Sequence, residues 1–353
     1  MKLFSPLQLR AVTLKNRIVF APVCQYAAVD GLADDYQLVH LGRFALGGFG
    51  MVMVEATAVT PDGRISHGDL GLWHDGQIEP LRRVAAFLKK HGAVPAIQLS
   101  HAGRKASTRR PWRGEGTVTA EDLAEHGDAP WTTSAPSALA HSDQHAAPIA
   151  LDRVGIDLVR SAFVDAARRA MQAGFEIIEL HCAHGYLLNQ FLSPVANRRL
   201  DRYGGSRENR MRFPLEIVEA MRAAWPADYP LFVRVSATDH IPDGWTIDDT
   251  VALAAELKSR GVDVIDCSSG GFTGAAHNAL SDYHVPYAER VAVETGARTM
   301  AAGLIASPEQ AESIVAGGKV ELVGLARHAL SNPNWPLQAS KVLLEGQTAP
   351  ESR

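Results

Sequence analysis

Short runs of consecutive apolar residues, rich in β-branched side chains, recur along the chain, and each is followed by a stretch with apolar residues every three or four positions. Eight such runs stand out: Ile18–Cys24, Met51–Ala56, Val94–Leu99, Glu176–His181, Leu231–Val235, Val262–Cys267, Arg298–Ala302 and Glu321–Ala326. Their near-continuous apolar character predicts strands buried on both faces, as in a parallel sheet covered by helices. After the third run, Ile156, Val159, Phe163, Ala167, Ala170 and Met171 share one side of a predicted helix, and Gly174 ends it. A second stripe, Met211, Leu215, Val218 and Met221, predicts a helix between Met211 and Trp225, with Pro214 in its first turn or at a kink. Eight strand-then-helix units predict an α/β fold, a closed (β/α)8 TIM barrel, with an open doubly wound sheet as the alternative.

Two departures from a minimal barrel are visible. The first fifteen residues read as a hairpin leading into strand one, placed to cover the barrel bottom. Between strand three and its helix, Ser100 to Ala150 is polar, lacks periodicity and contains Pro111, Pro130, Pro136 and Pro148. A loop of this length inside a barrel reads as a lid or binding insertion on the catalytic face. Nothing in the composition marks a second domain, so residues 1–353 read as one barrel domain.

Composition narrows the class of partner. With 35 Lys plus Arg against 39 Asp plus Glu and no long block of one sign, neither nucleic acid nor an anionic membrane is an expected partner. Cys24, Cys182 and Cys267 are odd in number and widely spaced, which suits neither a disulfide framework nor a zinc ribbon. The expected compartment is the reducing cytoplasm. No run of about 18 consecutive apolar residues occurs, so no membrane span is expected.

Chemistry in a barrel collects where strands end and the following loops begin, and here those ends are polar. Strand one ends in Ala21-Pro22-Val23-Cys24-Gln25-Tyr26, and strand three in Gln98. Strand four leads into His181-Cys182-Ala183-His184-Gly185-Tyr186, and strand five carries Arg234. Strands seven and eight lead into Gly303 and into Ala326-Arg327. Gly303 permits close backbone approach, Ser307 can cap the next helix, and Arg327 can hold a phosphate through two parallel hydrogen bonds. The plainer reading makes Arg327 a surface ion-pair partner. Gln98 and Arg234 suit the pyrimidine edge of a flavin: the amide donates and accepts, while a fixed guanidinium stabilises negative charge on reduction. Alternatively, Arg234 is a buried structural arginine paired with a carboxylate. His181, His184 and Tyr186 admit three readings. They are a metal site completed by Asp239 or His240, an oxyanion site with the phenol as proton donor, or capping histidines beside a core tyrosine.

These residues, and the stretches around them, resemble the old yellow enzymes, and within them the thermophilic-like ene-reductases and xenobiotic reductases. The resemblance covers essentially the whole chain. Its specific pieces are Asn16-Arg17-Ile18, the Ala21–Tyr26 stretch, Val54-Glu55-Ala56-Thr57-Ala58-Val59, Ile97-Gln98-Leu99-Ser100-His101-Ala102-Gly103-Arg104-Lys105, the His181–Tyr186 stretch and Asp201-Arg202-Tyr203-Gly204-Gly205-Ser206-Arg207-Glu208-Asn209-Arg210-Met211-Arg212-Phe213. The resemblance implies non-covalent FMN, reduced by NADPH or NADH, and hydride transfer to activated alkenes such as α,β-unsaturated carbonyl or nitro compounds. It implies that Ala21, Pro22, Val23, Cys24, Ala56, Gln98 and Arg234 line the isoalloxazine, and that Gly303, Ala326 and Arg327 line the phosphate. His181 and His184 would bind the substrate carbonyl, Tyr186 would donate a proton, and Tyr26 would close over the substrate. A homo-oligomer, dimer or tetramer, is implied as well. Ala326 departs from the pattern, standing where a glycine usually precedes the arginine. The ending Thr348-Ala349-Pro350-Glu351-Ser352-Arg353 is shorter than the tails that reach a neighbouring subunit in many relatives. The competing functions are a metal-dependent barrel hydrolase using His181, His184 and Asp239, and a flavin-binding barrel without turnover.

Overall fold

All eight apolar runs form strands, and the strands close on one another. They are β1 (Ile18–Phe20), β2 (Met51–Ala58), β3 (Val94–Ser100), β4 (Ile177–Cys182), β5 (Leu231–Ser236), β6 (Val264–Ser268), β7 (Thr299–Ala302) and β8 (Leu322–Leu325). The structure, a computed structural model, describes residues 1–114, 116–272 and 284–348. The strands pair in parallel in chain order, and β8 pairs with β1 through Val323↔Ile18, Gly324↔Val19 and Leu325↔Phe20, which makes a closed (β/α)8 barrel rather than an open sheet. Helices Asp35–Leu46, Ile78–Lys90, Arg153–Gln172, Arg207–Ala224, Ile247–Ser259, Val285–Thr295, Pro308–Ala316 and Trp335–Thr348 follow the eight strands in turn. Among the described residues, no helix is long and apolar enough to cross a membrane.

Strand alternation sorts the side chains into layers. Facing inward at the N-terminal end are Val19, Met51, Met53, Val94, Ala96, Ile177, Phe232, Val264, Met300 and Leu322. An antiparallel hairpin, Leu7–Leu9 with Val12–Leu14, presses Leu7, Leu9, Val12 and Leu14 against that layer and closes the barrel floor. The opposite parity, with Val52, Val54, Ile97, Ile178, Leu180 and Val233, packs outward under the helices. With the floor sealed by apolar side chains, only the C-terminal mouth is left to take a polar ligand.

Several predicted boundaries shift. Strand β1 stops at Phe20 instead of running to Cys24, so Ala21–Tyr26 is a loop on the barrel mouth. The helix predicted from Met211 begins at Arg207 under a Ser206 cap, which places Pro214 in its interior, not in its first turn. In the helix after β3, Ile156, Val159, Phe163, Ala167 and Ala170 are buried as expected, but Met171 is 40% exposed because, at about 100° per residue, it stands at the edge of their stripe. Asp152 caps that helix by accepting the Gly155 N–H at 2.7 Å. Asp152→Ala is therefore expected to cost about 1 kcal/mol of stability, read by chemical denaturation.

The insertion between β3 and its helix is held by ionic and backbone contacts. Arg109 pairs with Asp122, Arg110 and Arg113 share Asp128, and the Arg104 guanidinium donates to the carbonyls of Leu139 and Ala140, 3.2 Å each. A short parallel pair, Ser134–Ala135 with Ile149–Ala150, ties its far end. The C-terminal residues from Ala349 on, where a contribution to a neighbouring subunit was at issue, lie outside the described residues.

Candidate active site

Above the apolar floor, the next inward positions carry charge. Gln98 on β3, Glu179 on β4, Arg234 on β5 and Asp266 on β6 are all buried at inward-facing positions. Gln98 donates from Nε2 to Glu179 Oε1 at 2.7 Å, and Arg234 Nε faces Asp266 Oδ2 at 3.2 Å. Arg234 is thus buried and ion-paired, as its structural reading held. Yet the layer is not self-contained, because Glu179 Oε2 and Arg234 Nε have no hydrogen-bond partner. Buried polar groups are seldom left unpaired, so atoms of this kind at the mouth of a barrel call for a polar ligand.

On the rim stand two imidazoles and a phenol. The His181 ring lies 5.0 Å from that of His184 and 4.9 Å from that of Tyr186, and His184 lies 6.5 Å from Tyr186, all near edge-to-face. His181, next to last in β4, accepts the Ala183 N–H at Nδ1, 3.2 Å, which puts its own proton on Nε2. His184 adopts a left-handed backbone (φ +60°), donates its N–H to Ser236 Oγ at 2.9 Å, and holds Ser268 Oγ at 2.7 Å with Nε2. This turn depends on close approach. A Cβ on Gly271 would meet the His184 carbonyl carbon at 2.0 Å, and one on Gly185 would meet the Gly271 oxygen at 2.3 Å. Tyr186 begins the short helix Leu187–Leu192 without a capping hydrogen bond from its side chain, so its hydroxyl is not used as a cap.

Neutral forms are favoured on the rim. Burial, with Arg234 and Lys105 nearby, holds His181 and His184 well below the usual histidine range. Burial and the neighbouring Cys24, Tyr26 and Asp69 push the Tyr186 phenol well above its ordinary value. Lys105, with the insertion, donates from Nζ to the carbonyls of His184 (2.9 Å) and Gly271 (3.1 Å) and lies 5.1 Å over the Tyr186 ring. Its burial lowers its pKa to about 8.

Across the mouth, the β1 loop faces the same space. Cys24, Tyr26, Trp131 and Tyr186 pack around Ile65, Ala102 and Ala106. Tyr26 meets Trp112 of the insertion edge-on at 6.1 Å. A cleft of about 660 Å³ opens there, bounded by Tyr26, Ile65, Lys105 and insertion residues that include His141 and His145. The loop is anchored by Glu55, whose carboxyl accepts the Gln25 N–H at 2.5 Å, beside a β-bulge where the β2–β3 register shifts between Val54 and Thr57. Burial raises the Glu55 carboxyl to about 8. Ala21 is buried and donates its N–H to the Leu325 carbonyl at 2.9 Å, Pro22 and Val23 are half-buried, and Ala56 is buried at the bulge.

A separate cleft of about 380 Å³ sits beyond β7 and β8, bounded by Gly303, Gly324, Ala326, Arg327 and His328. Arg327 is exposed, and no carboxylate pairs with it among the described residues, contrary to the ion-pair reading. Gly303 has φ +123°, a conformation that suits only glycine. Ser307 caps the next helix by accepting the Gln310 N–H at 3.1 Å, as expected.

Asp239, one of the third ligands named in the metal reading, has one carboxyl oxygen engaged in the fold. Its carboxyl accepts from Ser193 Oγ at 2.6 Å and from the Trp245 N–H at 2.7 Å, holding the β5 loop. Among the described residues, no three His, Cys, Asp or Glu side chains gather to hold a metal. Glu55, Glu179, Asp266, Lys105 and Ser268 received no role from the sequence. The inward parity of a charged residue in an otherwise apolar strand was the signal available for Glu179 and Asp266.

Buried polar groups without a full set of hydrogen bonds at the mouth of a parallel barrel, with a separate glycine-lined cleft beyond its last two strands, fit the class of flavin-dependent barrel oxidoreductases. The chain belongs to the NADH:flavin oxidoreductase / NADH oxidase family, whose profile matches residues 2–345, and it is an oxidoreductase of the FMN type with a nicotinamide reductant. It is 46% identical over 343 residues to an NADPH dehydrogenase of Geobacillus sp. (strain WCH70), a match covering 97% of this chain and 94% of that protein. Among solved structures, morphinone reductase superposes with a TM-score of 0.81 at 26% identity, over 96% of this chain and 89% of that one. A 2-naphthoyl-CoA reductase complex superposes with a TM-score of 0.86 at 26% identity over 98% of this chain. This chain spans about half the length of that reductase, 52%. The sequence resemblance to the old yellow enzymes therefore stands.

Proposed function

We propose that the protein is an NAD(P)H-driven ene-reductase that reduces the carbon–carbon double bond of α,β-unsaturated carbonyl or nitro compounds. The observation that carries this reading is the clustering of His181, His184 and Tyr186 on one rim of the mouth, 4.9 to 6.5 Å between rings, above buried Gln98 and Arg234. The residues present fit FMN. Gln98 and Arg234 offer buried polar groups suited to its pyrimidine edge; Ala21, Pro22, Val23, Cys24 and Ala56 bound the flat ring; Gly303, Ala326 and Arg327 take its phosphate. Bound FMN supplies a hydride carrier loaded by NADPH or NADH.

The chain's own residues do the remainder. His181 offers an Nε2–H to the substrate oxygen, and His184, steadied by Ser236 and Ser268, stands beside it. As neutral donors fixed before substrate arrives, they stabilise the negative charge that grows on that oxygen. Tyr186 holds a proton throughout the working pH range and delivers it to the α-carbon. Tyr26, braced by Trp112, closes over the substrate and excludes water. Cys24, a thiol pushed up by burial and by Asp69 and Glu55, stays neutral beside the ring.

The test separates the two half-reactions. Anaerobic NADPH is expected to bleach the bound flavin, and cyclohexenone to restore its colour in stoichiometric amount. Bleaching without reoxidation by any activated alkene would favour the flavin-binding barrel without turnover. For the phosphate cleft, Arg327→Ala is expected to weaken FMN binding by about tenfold or more, measured by fluorescence titration of the apoprotein. The protein is proposed to assemble as a homo-oligomer. In support, helix Asp35–Leu46 leaves Tyr36, Val39 and Leu46 exposed, and light scattering giving a monomer mass would reject the assembly.

A further inference from the structure

Glu179 takes part in none of the steps above, yet it is fully buried inside the barrel, one strand from Gln98 and directly opposite it in register. Its Oε1 accepts the Gln98 Nε2–H at 2.7 Å, and its Oε2 has no hydrogen-bond partner. A glutamine amide has a donor end and an acceptor end, and nothing in its shape decides between the two orientations; a neighbouring group must. Among the described residues, Glu179 is the hydrogen-bond partner that decides it. We infer that Glu179 is a positioning residue that orients the Gln98 amide toward FMN, so that Gln98 presents its carbonyl and its second N–H to the cofactor. That pair complements the adjacent carbonyl and N–H on the pyrimidine edge of a flavin. The inference rests on the FMN reading given above.

The same carboxyl bears on charge. Gln98 from β3, Arg234 from β5 and Asp266 from β6 surround it. Burial and Asp266 favour its protonated form, against the pull of Arg234 and of the Gln98 hydrogen bond. Protonated, it leaves the Arg234–Asp266 pair electrically balanced beneath the cofactor. Ionised, it adds a negative charge there and opposes electron uptake.

Two variants read these roles without using turnover. In apoprotein titrated with FMN, Glu179→Leu frees the Gln98 amide and is expected to weaken binding about tenfold. Glu179→Gln keeps an acceptor for Gln98 and is expected to hold affinity within about twofold. The flavin midpoint potential is then followed against pH. In the native protein it is expected to fall more steeply on the alkaline side than in Glu179→Gln, which has no ionising group at this position. FMN affinity unchanged in a folded Glu179→Leu protein would overturn the inference. If Glu179→Leu does not fold, Glu179→Met is titrated in its place, and FMN affinity unchanged there would overturn the inference equally; potentials of the native protein and Glu179→Gln that run parallel across the whole pH range would overturn the charge role. Native apoprotein that takes up no FMN would overturn the underlying reading as well.

Discussion

Tyr186→Phe is expected to slow reoxidation of the reduced enzyme by an activated alkene by about 10²–10⁴-fold, the range typical for a placed proton donor. Reduction by NADPH is expected to stay within about twofold, because that half-reaction needs no proton from this residue. Stopped-flow absorbance resolves the two steps, and equal loss in both would contradict the role. The pH profile carries the same information. The Tyr186 phenol titrates well above its usual range, and His181 and His184 well below theirs. All three keep their protonation state through neutral pH, so none of them is expected to put a break near about pH 6.5 into alkene reduction by the native protein. A break near pH 6.5 would mean that one of the two histidines titrates as an ordinary imidazole.

The largest stability effect is expected at Arg234. Arg234→Met leaves Asp266, which has no exposure to solvent, without its cation at 3.2 Å, and is expected to cost about 3–5 kcal/mol in chemical denaturation. The loss depends on pH with a definite sign. Burial already raises the Asp266 carboxyl while Arg234 opposes the rise; without Arg234, its folded-state pKa stands still further above the unfolded value. Such a group folds best in its neutral form. The deficit is therefore small below about pH 4 and grows as pH rises toward the folded-state pKa. Arg234→Met combined with Asp266→Leu removes both charges and is expected to recover most of the stability at neutral pH, since an apolar pair often replaces a buried ion pair without loss. Both proteins are expected to bind FMN poorly. That outcome would separate the guanidinium's part in the cofactor site from its part in the fold.

The barrel was legible because its signal is repeated. Eight apolar runs, each followed by a helical stripe, state the fold several times over, and an error of a few residues at one strand changes nothing in the whole. Boundaries carry no such redundancy. The run Ile18–Cys24 is apolar throughout, yet the chain leaves the sheet at Ala21, and the sequence does not distinguish an apolar strand from an apolar loop lining a ligand site. The apolar stripe from Met211 puts Pro214 in a first turn or at a kink, whereas the helix begins earlier, at Arg207 under the Ser206 cap. The rim residues were visible because polar strand ends are conspicuous in a barrel. The layer beneath was harder to read. Gln98 and Arg234 stood out for their chemistry, but their partners Glu179 and Asp266 lie in neighbouring strands, at positions that only strand register brings together. The anchoring of the β1 loop by Glu55 is likewise a contact across 30 residues, fixed by a bulge that no local pattern announced.

The most direct measurement is a phenol titration of the FMN-loaded protein followed by its visible spectrum, with His181→Ala and His184→Ala alongside. A phenol's oxygen imitates the negatively charged oxygen that the two imidazoles are placed to bind. The account predicts a saturable new long-wavelength absorption in the native protein, with the dissociation constant raised about tenfold or more in each variant. Native protein whose flavin spectrum ignores the phenol, or variants that bind it as tightly as the native protein, would contradict it.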